Sequence, residues 1–100
     1  MPDYPLYVKM VKYKFLDKQG EWFRYKYYPE NKENWGIVSV NVISMQSTID
    51  TLAENDSINC VQVAENKFVS VSSYAGHVIH DILSKCQGNE IPKDGIVVWY

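Results

Sequence analysis

The sequence predicts an α+β fold in which a mainly antiparallel sheet of four to six strands packs against one C-terminal amphipathic helix. Apolar and charged residues alternate along several short segments, which is typical of half-buried strands. Only residues 73–87 show a clear apolar stripe at helical spacing, and Gly88 follows them as a stop signal. The 100 residues, 46% of them hydrophobic, are enough for one domain, which we expect to span residues 1–100.

A β-hairpin is predicted near the start of the chain. Two segments, residues 7–16 and 21–28, alternate between aromatic or aliphatic and charged side chains. The polar stretch 17–20 between them is a turn signal. The two segments therefore form neighbouring antiparallel strands in this prediction.

The length of the hairpin loop decides which side chains share a face. A two-residue loop would pair Phe15 with Trp22 and mix apolar with charged positions. A three-residue loop, residues 18–20, pairs Phe15 with Phe23 and puts Gly20 where such loops need a left-handed residue. We therefore expect the three-residue loop, whose other apolar pairs are Tyr13 with Tyr25 and Val11 with Tyr27.

Further strands are expected over residues 36–43, 58–64 and 96–100, with 68–71 extending or pairing with the second of these. Residues 45–57 allow two interpretations. Ser47 or Thr48 is able to cap a short helix there, but the segment has no decisive periodicity.

The predicted helix supplies one wall of the core. Its start is expected at Ser72 or Ser73, either of which is a suitable N-cap, and Lys85 lies in its last turn. The expected core combines this helix with the inward positions of the strands: Val11, Tyr13, Phe15, Phe23, Tyr25, Val38, Val40, Val78, Ile79, Ile82, Leu83 and Val97.

Composition excludes several classes of protein. No apolar run approaches the ~20 residues of a membrane span, and the first residues lack a signal-peptide pattern, so a cytoplasmic protein is expected. Cys60 and Cys86 are too far apart for a disulfide framework or a zinc motif, and both are expected to be buried apolar side chains. No cofactor is predicted.

Charge is unevenly distributed around a net value of −2. Residues 1–28 hold six basic and three acidic residues, whereas residues 29–100 hold four basic and nine acidic ones. In the predicted register, the outer face of the first hairpin places Lys12 opposite Lys26 and Lys14 opposite Arg24. Like charges directly opposite destabilise a sheet, so this face is the main candidate for binding.

The candidate site is therefore a basic and aromatic sheet face, made of Lys12, Lys14, Trp22, Arg24, Lys26 and Tyr28. It predicts a non-catalytic interaction module of regulatory or toxin-neutralising type, which binds a protein partner with an acidic surface or a second copy of itself. Cations beside aromatic rings also suit single-stranded nucleic acid, although the acidic balance of the chain argues against that ligand.

A second candidate site lies on the predicted helix. His77 and His80 are the only histidines, and Asp81 follows them on the polar side. Two imidazoles at this spacing are able to share a metal ion, which makes a metal-dependent enzyme the alternative function. No third ligand and no known catalytic motif accompany them, so no catalytic activity is predicted and a solvated helix face is the simpler interpretation.

Five short motifs carry a family resemblance: Tyr27-Tyr28-Pro29-Glu30, Gly36-Ile37-Val38-Ser39-Val40-Asn41, Ala64-Glu65-Asn66, Tyr74-Ala75-Gly76-His77 and Gly95-Ile96-Val97-Val98-Trp99-Tyr100. With them, the chain resembles a group of small uncharacterised bacterial proteins over most of residues 10–100. Residues 42–57 look like an insertion relative to that pattern. The resemblance implies a bacterial cytosolic protein, and it implies no particular activity.

Overall fold

The computed structural model describes residues 9–99. Within them the chain forms six strands, one helix and a seventh strand. In chain order these elements are β1 (Lys9–Gln19), β2 (Trp22–Pro29), β3 (Gly36–Asn41), β4 (Gln46–Thr51), β5 (Ile58–Ala64), β6 (Lys67–Ser72), α1 (Ala75–Gln87) and β7 (Asp94–Trp99).

Two antiparallel sheets share these strands. The main sheet has five strands in the order β4-β3-β2-β1-β7, and β5 pairs only with β6 in a separate two-stranded sheet. The helix α1 packs on one face of the main sheet, against β1, β3 and β7. The predicted α+β class, with a mainly antiparallel sheet and one late helix, is confirmed. No helix of the described residues is both long and apolar enough to cross a membrane.

The first hairpin forms, but the predicted register was wrong. Its loop has two residues, Gly20 and Glu21, and Gly20 has the positive φ of 62° that the first position of a type II′ turn requires. A β-bulge between Phe15 and Asp17 then shifts the pairing, so that Phe15 lies opposite Tyr25. The bulge brings the apolar side chains onto one face, which is what the longer loop was expected to do. The pairs beyond it are Tyr13 with Tyr27 and Val11 with Pro29.

The ambiguous segment 45–57 contains a strand and no helix. β4 pairs antiparallel with β3, and Ile49 lies opposite Val38 on the face that meets the core. Three of its six residues, Thr48, Ile49 and Thr51, are β-branched and therefore favour an extended backbone. The strand prediction for 58–64 was right, and 68–71 belongs to the β6 strand that pairs with it.

The core lies between the main sheet and α1. Most predicted core residues are buried or packed against the buried cluster, but Phe15 is 40% exposed. On the helix, Val78 and Ile82 are fully buried, whereas Ile79 and Leu83 are only partly so. The core also contains three residues that the expected core list did not include: Tyr27, Ala53 and Ala75.

Two buried tyrosines lie directly over glycines of the neighbouring strand. Tyr13 pairs with Gly95 of β7, and Tyr27 pairs with Gly36 of β3. A Cβ atom at either glycine would overlap the tyrosine ring, so no other residue fits without displacing it. These two glycines therefore allow large rings to pack flat against the sheet.

The carboxylate of Asp56 ties the separate hairpin to the main sheet and to the helix. It accepts hydrogen bonds from the Tyr27 hydroxyl (2.8 Å) and the Ser72 hydroxyl (2.6 Å). It also accepts from the backbone N–H groups of Tyr74 (3.0 Å) and Ala75 (3.1 Å) at the start of α1. An anion is favourable there because the first amides of a helix lack intrahelical partners.

Ser72, which was predicted as a possible cap, takes part in the same arrangement. Its hydroxyl accepts hydrogen bonds from the N–H groups of Tyr74 (3.2 Å) and Ala75 (2.8 Å). The N-cap position itself is occupied by Tyr74, whose side chain makes no capping bond. The helix therefore starts two residues later than predicted, and groups outside it satisfy its first amides.

The described side chains of the β5–β6 hairpin do not belong to the hydrophobic core cluster. Every side chain of β5 is exposed. Among them is Cys60, which was predicted to be buried, while Cys86 on α1 is half-buried and both thiols are free. Only the base of the hairpin is anchored, through Ser72 and Asp56.

Candidate functional site

The outer face of the main sheet is the side opposite α1, and it carries the predicted site residues. Even-numbered positions of β2, and those of β1 before its bulge, point to this face, while the odd-numbered Tyr13, Tyr25 and Tyr27 point to the core. Lys12 lies opposite Tyr28, in contrast to the predicted pairing with Lys26. The six predicted site residues are all partly or fully exposed: Lys12, Lys14, Trp22, Arg24, Lys26 and Tyr28.

Neither of the two predicted like-charge pairs forms, but a different one is present on the outer face. Lys14 lies opposite Lys26, and on its other side it lies opposite Asp94 of β7. Within the described residues, Lys12, Lys14 and Lys26 form no ion pair. Three lysine side chains therefore project from adjacent positions of two strands with their charges unpaired in this part of the chain.

Arg24 is held by an acidic partner of its own. The bulge in β1 places Asp17 opposite Arg24, and the guanidinium donates two hydrogen bonds of 2.6 Å to the carboxylate. This contact lowers the pKa of Asp17 and raises that of Arg24. The prediction that Arg24 lies opposite Lys14 was wrong, because it depended on the three-residue loop.

Lys26 lies over an aromatic ring that was not among the predicted site residues. Its ammonium nitrogen is 4.3 Å from the centroid of the Trp35 ring, in the geometry of a cation–π contact. Trp35 is 43% exposed and follows the polar loop between β2 and β3. The only available signal was a large aromatic residue within a polar stretch.

A shallow hollow lies at the Trp22 end of the same face. It has a volume of about 320 Å³ and is open to solvent. Ser39 donates a hydrogen bond to Asp50 in its wall. Side chains from four strands line it: Gln19, Trp22, Arg24, Ser39, Thr48 and Asp50. The hollow therefore combines one indole with groups that donate and accept hydrogen bonds.

An apolar edge flanks the lysines on the other side. Ile96 and Val98 of β7 are each 58% exposed, and they lie opposite Lys12 and Met10 respectively. Val97 was correctly predicted to lie at the core, and its neighbours Ile96 and Val98 therefore point to the opposite, outer face. The outer face thus runs from a polar hollow, through three lysines, to an apolar edge strand.

In the predicted helix site, His77 and Asp81 contact different structural partners. His77 stacks on Trp99, with ring centroids 3.7 Å apart and an interplanar angle of 17°. Burial against this ring lowers the pKa of His77, and nearby His80 and Lys9 add to the effect. Asp81 accepts a hydrogen bond of 2.6 Å from the Tyr13 hydroxyl.

Asp81 also forms an ion pair of 3.1 Å with Lys85, one helical turn later. The carboxylate is therefore directed to a tyrosine and a lysine. Among residues 9–99, no group of three or more histidine, cysteine, aspartate or glutamate side chains has a geometry that could hold a metal ion. His77 and His80 line a hollow of about 430 Å³ with Ser72 and Gly76.

The arrangement of the outer face suits binding more directly than bond-making chemistry. Its cations and aromatic rings are spread over adjacent strands. The charge of Arg24 is already neutralised by its ion pair with Asp17.

The family resemblance suggested by the short motifs stays a prediction. Comparisons of the chain with protein-family models, with curated proteins and with solved structures found no significant match.

Proposed function

We propose that this protein is a non-catalytic interaction module that binds an acidic surface of a partner protein with the outer face of its main sheet. The observation that carries the proposal is the set of three lysines, Lys12, Lys14 and Lys26, which lie side by side without an ion pair within the described residues. A partner of opposite charge would remove the repulsion between Lys14 and Lys26.

The surroundings of the lysines support a protein as the ligand. Protein interfaces are enriched in aromatic residues and arginine, and their centres are largely apolar. The outer face has two indole rings, Trp22 and Trp35, and the exposed aliphatic side chains of Ile96 and Val98. Single-stranded nucleic acid is a less suitable ligand, because the chain as a whole is acidic, with a net charge of −2.

The setting that we propose is the bacterial cytoplasm, and the type of interaction is regulatory or toxin-neutralising. Both of the protein's cysteines are free thiols, which suits a reducing compartment. The resemblance to small bacterial proteins supports the same setting. The geometry does not support the alternative function, a metal-dependent enzyme. His77 stacks on Trp99, and Asp81 contacts Tyr13 and Lys85.

The proposal is tested with an acidic peptide as the probe. A ten-residue polyglutamate peptide, titrated into the labelled protein at low salt, should shift backbone amide NMR signals of β1 and β2. Replacing all three lysines with glutamate (Lys12→Glu, Lys14→Glu and Lys26→Glu) should weaken binding at least about tenfold, since each exposed ion pair is worth up to about 1 kcal/mol. Trp22→Ala combined with Arg24→Ala should weaken it too.

A matched control separates the site from general charge. The triple variant Lys18→Glu, Lys32→Glu and Lys67→Glu has the same net charge, and its substitutions lie at exposed positions elsewhere on the protein. Equal losses for both triple variants would overturn the proposal, and so would signal shifts spread over all lysines. If an oligothymidylate of equal charge binds more tightly than the peptide, with a steep fall in affinity as salt rises, the ligand is single-stranded nucleic acid.

A further inference from the structure

The β5–β6 hairpin leaves an unusual amount of apolar surface in solvent. Its exposed fractions are 50% for Ile58, 43% for Val61, 55% for Val63, 59% for Phe68 and 39% for Val69. Val61 and Val69 lie directly opposite each other on one face, whereas Phe68 and Ile58 lie on the other. Neither face of the hairpin is covered by another described element.

A hairpin in this situation lacks the contacts that usually stabilise one. Isolated two-stranded sheets are marginally stable in water at best. The base is closed by a backbone hydrogen bond of 2.9 Å from Ser73 to Ser57. It is connected to the rest of the protein where the Ser72 hydroxyl bonds to Asp56, whose carboxylate also accepts from Tyr27 and from the first amides of α1. The middle of the hairpin therefore has strand pairing but nothing to pack against.

β5 also lacks the features that keep an edge strand from pairing with another chain. Exposed edges are normally protected by charged side chains or proline. Its sequence, Ile58–Ala64, contains neither. The two edges of the main sheet differ in this respect, because β4 contains Asp50 and β7 begins with Asp94.

We propose that β5 pairs antiparallel with β5 of a second copy of this chain, across a two-fold axis, to give a continuous four-stranded sheet β6-β5-β5-β6. A second copy fits the charge of the strand: β5 is neutral, so two copies meet without like charges opposite each other, and it offers a charged partner nothing complementary. Backbone hydrogen bonds along the two edges then supply much of the affinity.

The apolar surface of the hairpin is divided between its two faces, with Ile58 and Phe68 on one and Val61 and Val69 on the other. Pairing of two β5 edges brings the β5 side chains of the two copies beside each other on both faces and leaves the β6 side chains outside the contact, so the interface is small. We therefore expect a reversible dimer with a dissociation constant on the order of 10 μM.

Sedimentation equilibrium from about 1 to 500 μM tests the proposal. The unmodified protein should pass from monomer to dimer over this range. Val61→Lys puts a charge at the middle of the edge strand and should leave a monomer at all concentrations, as should Gln62→Lys. A protein that stays monomeric up to 500 μM, or forms dimers equally well with both lysine variants, overturns the proposal.

The control uses the other exposed apolar edge. Val98→Lys changes a valine that is 58% exposed on β7, so it introduces the same charge at a comparable position of the main sheet. It should leave dimerisation unchanged. If Val98→Lys abolishes the dimer and Val61→Lys does not, the interface lies on β7 and the proposal is wrong.

A distance measurement locates the interface independently of these variants. Cys60 is an exposed native thiol on β5, and Cys86→Ala removes the other thiol. Because paired strands are about 5 Å apart, spin labels on the two copies of Cys60 should lie within about 20 Å of each other. Labels much farther apart in a dimer would contradict pairing through β5.

The dimer and the proposed acidic-partner site are separable. Val61→Lys should still bind the polyglutamate peptide, and the triple lysine-to-glutamate variant of the outer face should still form dimers. If the protein binds the peptide but does not dimerise, the dimer proposal is wrong. If it dimerises but does not bind the peptide, the proposed function is wrong.

Discussion

The β1–β2 and β5–β6 hairpins resemble each other closely as local structures. Each is antiparallel, each turns through a two-residue loop, and each has a β-bulge on its first strand near the turn. Each loop also contains one residue with positive φ, Gly20 at 62° and Asn66 at 59°. Both contain several β-branched or aromatic side chains.

Their surroundings are entirely different. β1 and β2 lie between β7 and β3, and one of their faces is covered by α1. The hydroxyls of their buried tyrosines are all hydrogen-bonded, for example Tyr25 to the carbonyl of Pro92 at 2.8 Å. The second hairpin has free edges and exposed faces in the described residues. The comparison shows that strand-forming residues determine pairing, whereas burial depends on which other elements lie beside the pair.

The largest expected effect contrasts two isoleucines. Ile82→Ala removes a side chain that is fully buried between α1 and the main sheet, so the free energy of unfolding should fall by about 3–4 kcal/mol. Ile58→Ala changes a side chain that is 50% exposed on β5 and should cost about 1 kcal/mol or less. Urea denaturation at about 1 μM protein measures both in the monomer. Equal losses would mean that the second hairpin is packed as well as the main sheet.

The next effect concerns the connection between the two hairpins. Asp56→Ala removes the acceptor of the Tyr27 and Ser72 hydroxyls, and it removes one of the two acceptors of the Tyr74 and Ala75 amides, which keep the Ser72 hydroxyl. We expect a loss of about 2–3 kcal/mol and faster amide hydrogen exchange in β5 and β6 than in the parent protein.

Asp94→Ala is the control for this prediction, because it removes an exposed carboxylate from β7 and should change the free energy of unfolding by less than about 0.5 kcal/mol. If Asp56→Ala is no worse than Asp94→Ala, the Asp56 carboxylate does not connect the two parts.

Alkaline pH should act on the main sheet through its buried tyrosines. Burial raises the pKa of Tyr13 to about 12, with a further contribution from its hydrogen bond to Asp81, and burial also raises the pKa of Tyr25. The folded state retains these protons, so stability is complete below pH 10 and falls as pH rises towards 12. Each tyrosine contributes at most about 1.4 kcal/mol per pH unit.

Tyr25→Phe should therefore reduce the slope of the free energy of unfolding against pH between 10 and 12. Denaturation curves at half-unit steps of pH measure it. Tyr25 lies in β2 and the second hairpin contains no tyrosine, so the change in slope caused by this variant reports on the main sheet. An unchanged slope in Tyr25→Phe would show that this hydroxyl is not protected by burial.

The smallest effect is expected at acid pH. The pKa of His77 lies below the ordinary value of 6.5, chiefly because its ring is buried against Trp99. The unfolded chain therefore takes up this proton first, and stability falls as pH decreases below about 6.5. His77→Phe keeps an aromatic ring on Trp99 and should remove part of this dependence between pH 7 and 5. Thermal unfolding at a series of pH values measures the difference.

The candidate site shows how far periodicity alone reaches. Alternation correctly assigned Lys12, Lys14 and Lys26 to one outward face, because the side-chain period of a strand is two. It did not assign their neighbours, because the bulge in β1 shifts the pairing by one residue and turns Asp17 to the outer face. For that reason Arg24 meets Asp17 and not Lys14.

Residues from distant parts of the chain completed the site and were harder to predict. Trp35, Ile96 and Val98 reach the outer face only because β7 pairs with β1 and the loop after β2 folds back over Lys26. The carboxylate of Asp56, which satisfies the first amides of α1, is likewise far from the helix in sequence. No local pattern contains these contacts.

The amino-acid sequence was enough to predict the fold class, most of the strands, the end of the helix at Gly88 and the outward direction of the lysines. These features follow from local side-chain periods and helix-end signals. The tertiary structure alone decided the register of the first hairpin, the strand nature of residues 46–51 and the exposure of β5 and β6. Each of these features depends on a bulge or on the presence of a neighbouring element. The free energy of such contacts comes from residues that are distant in sequence, so a local pattern cannot predict it.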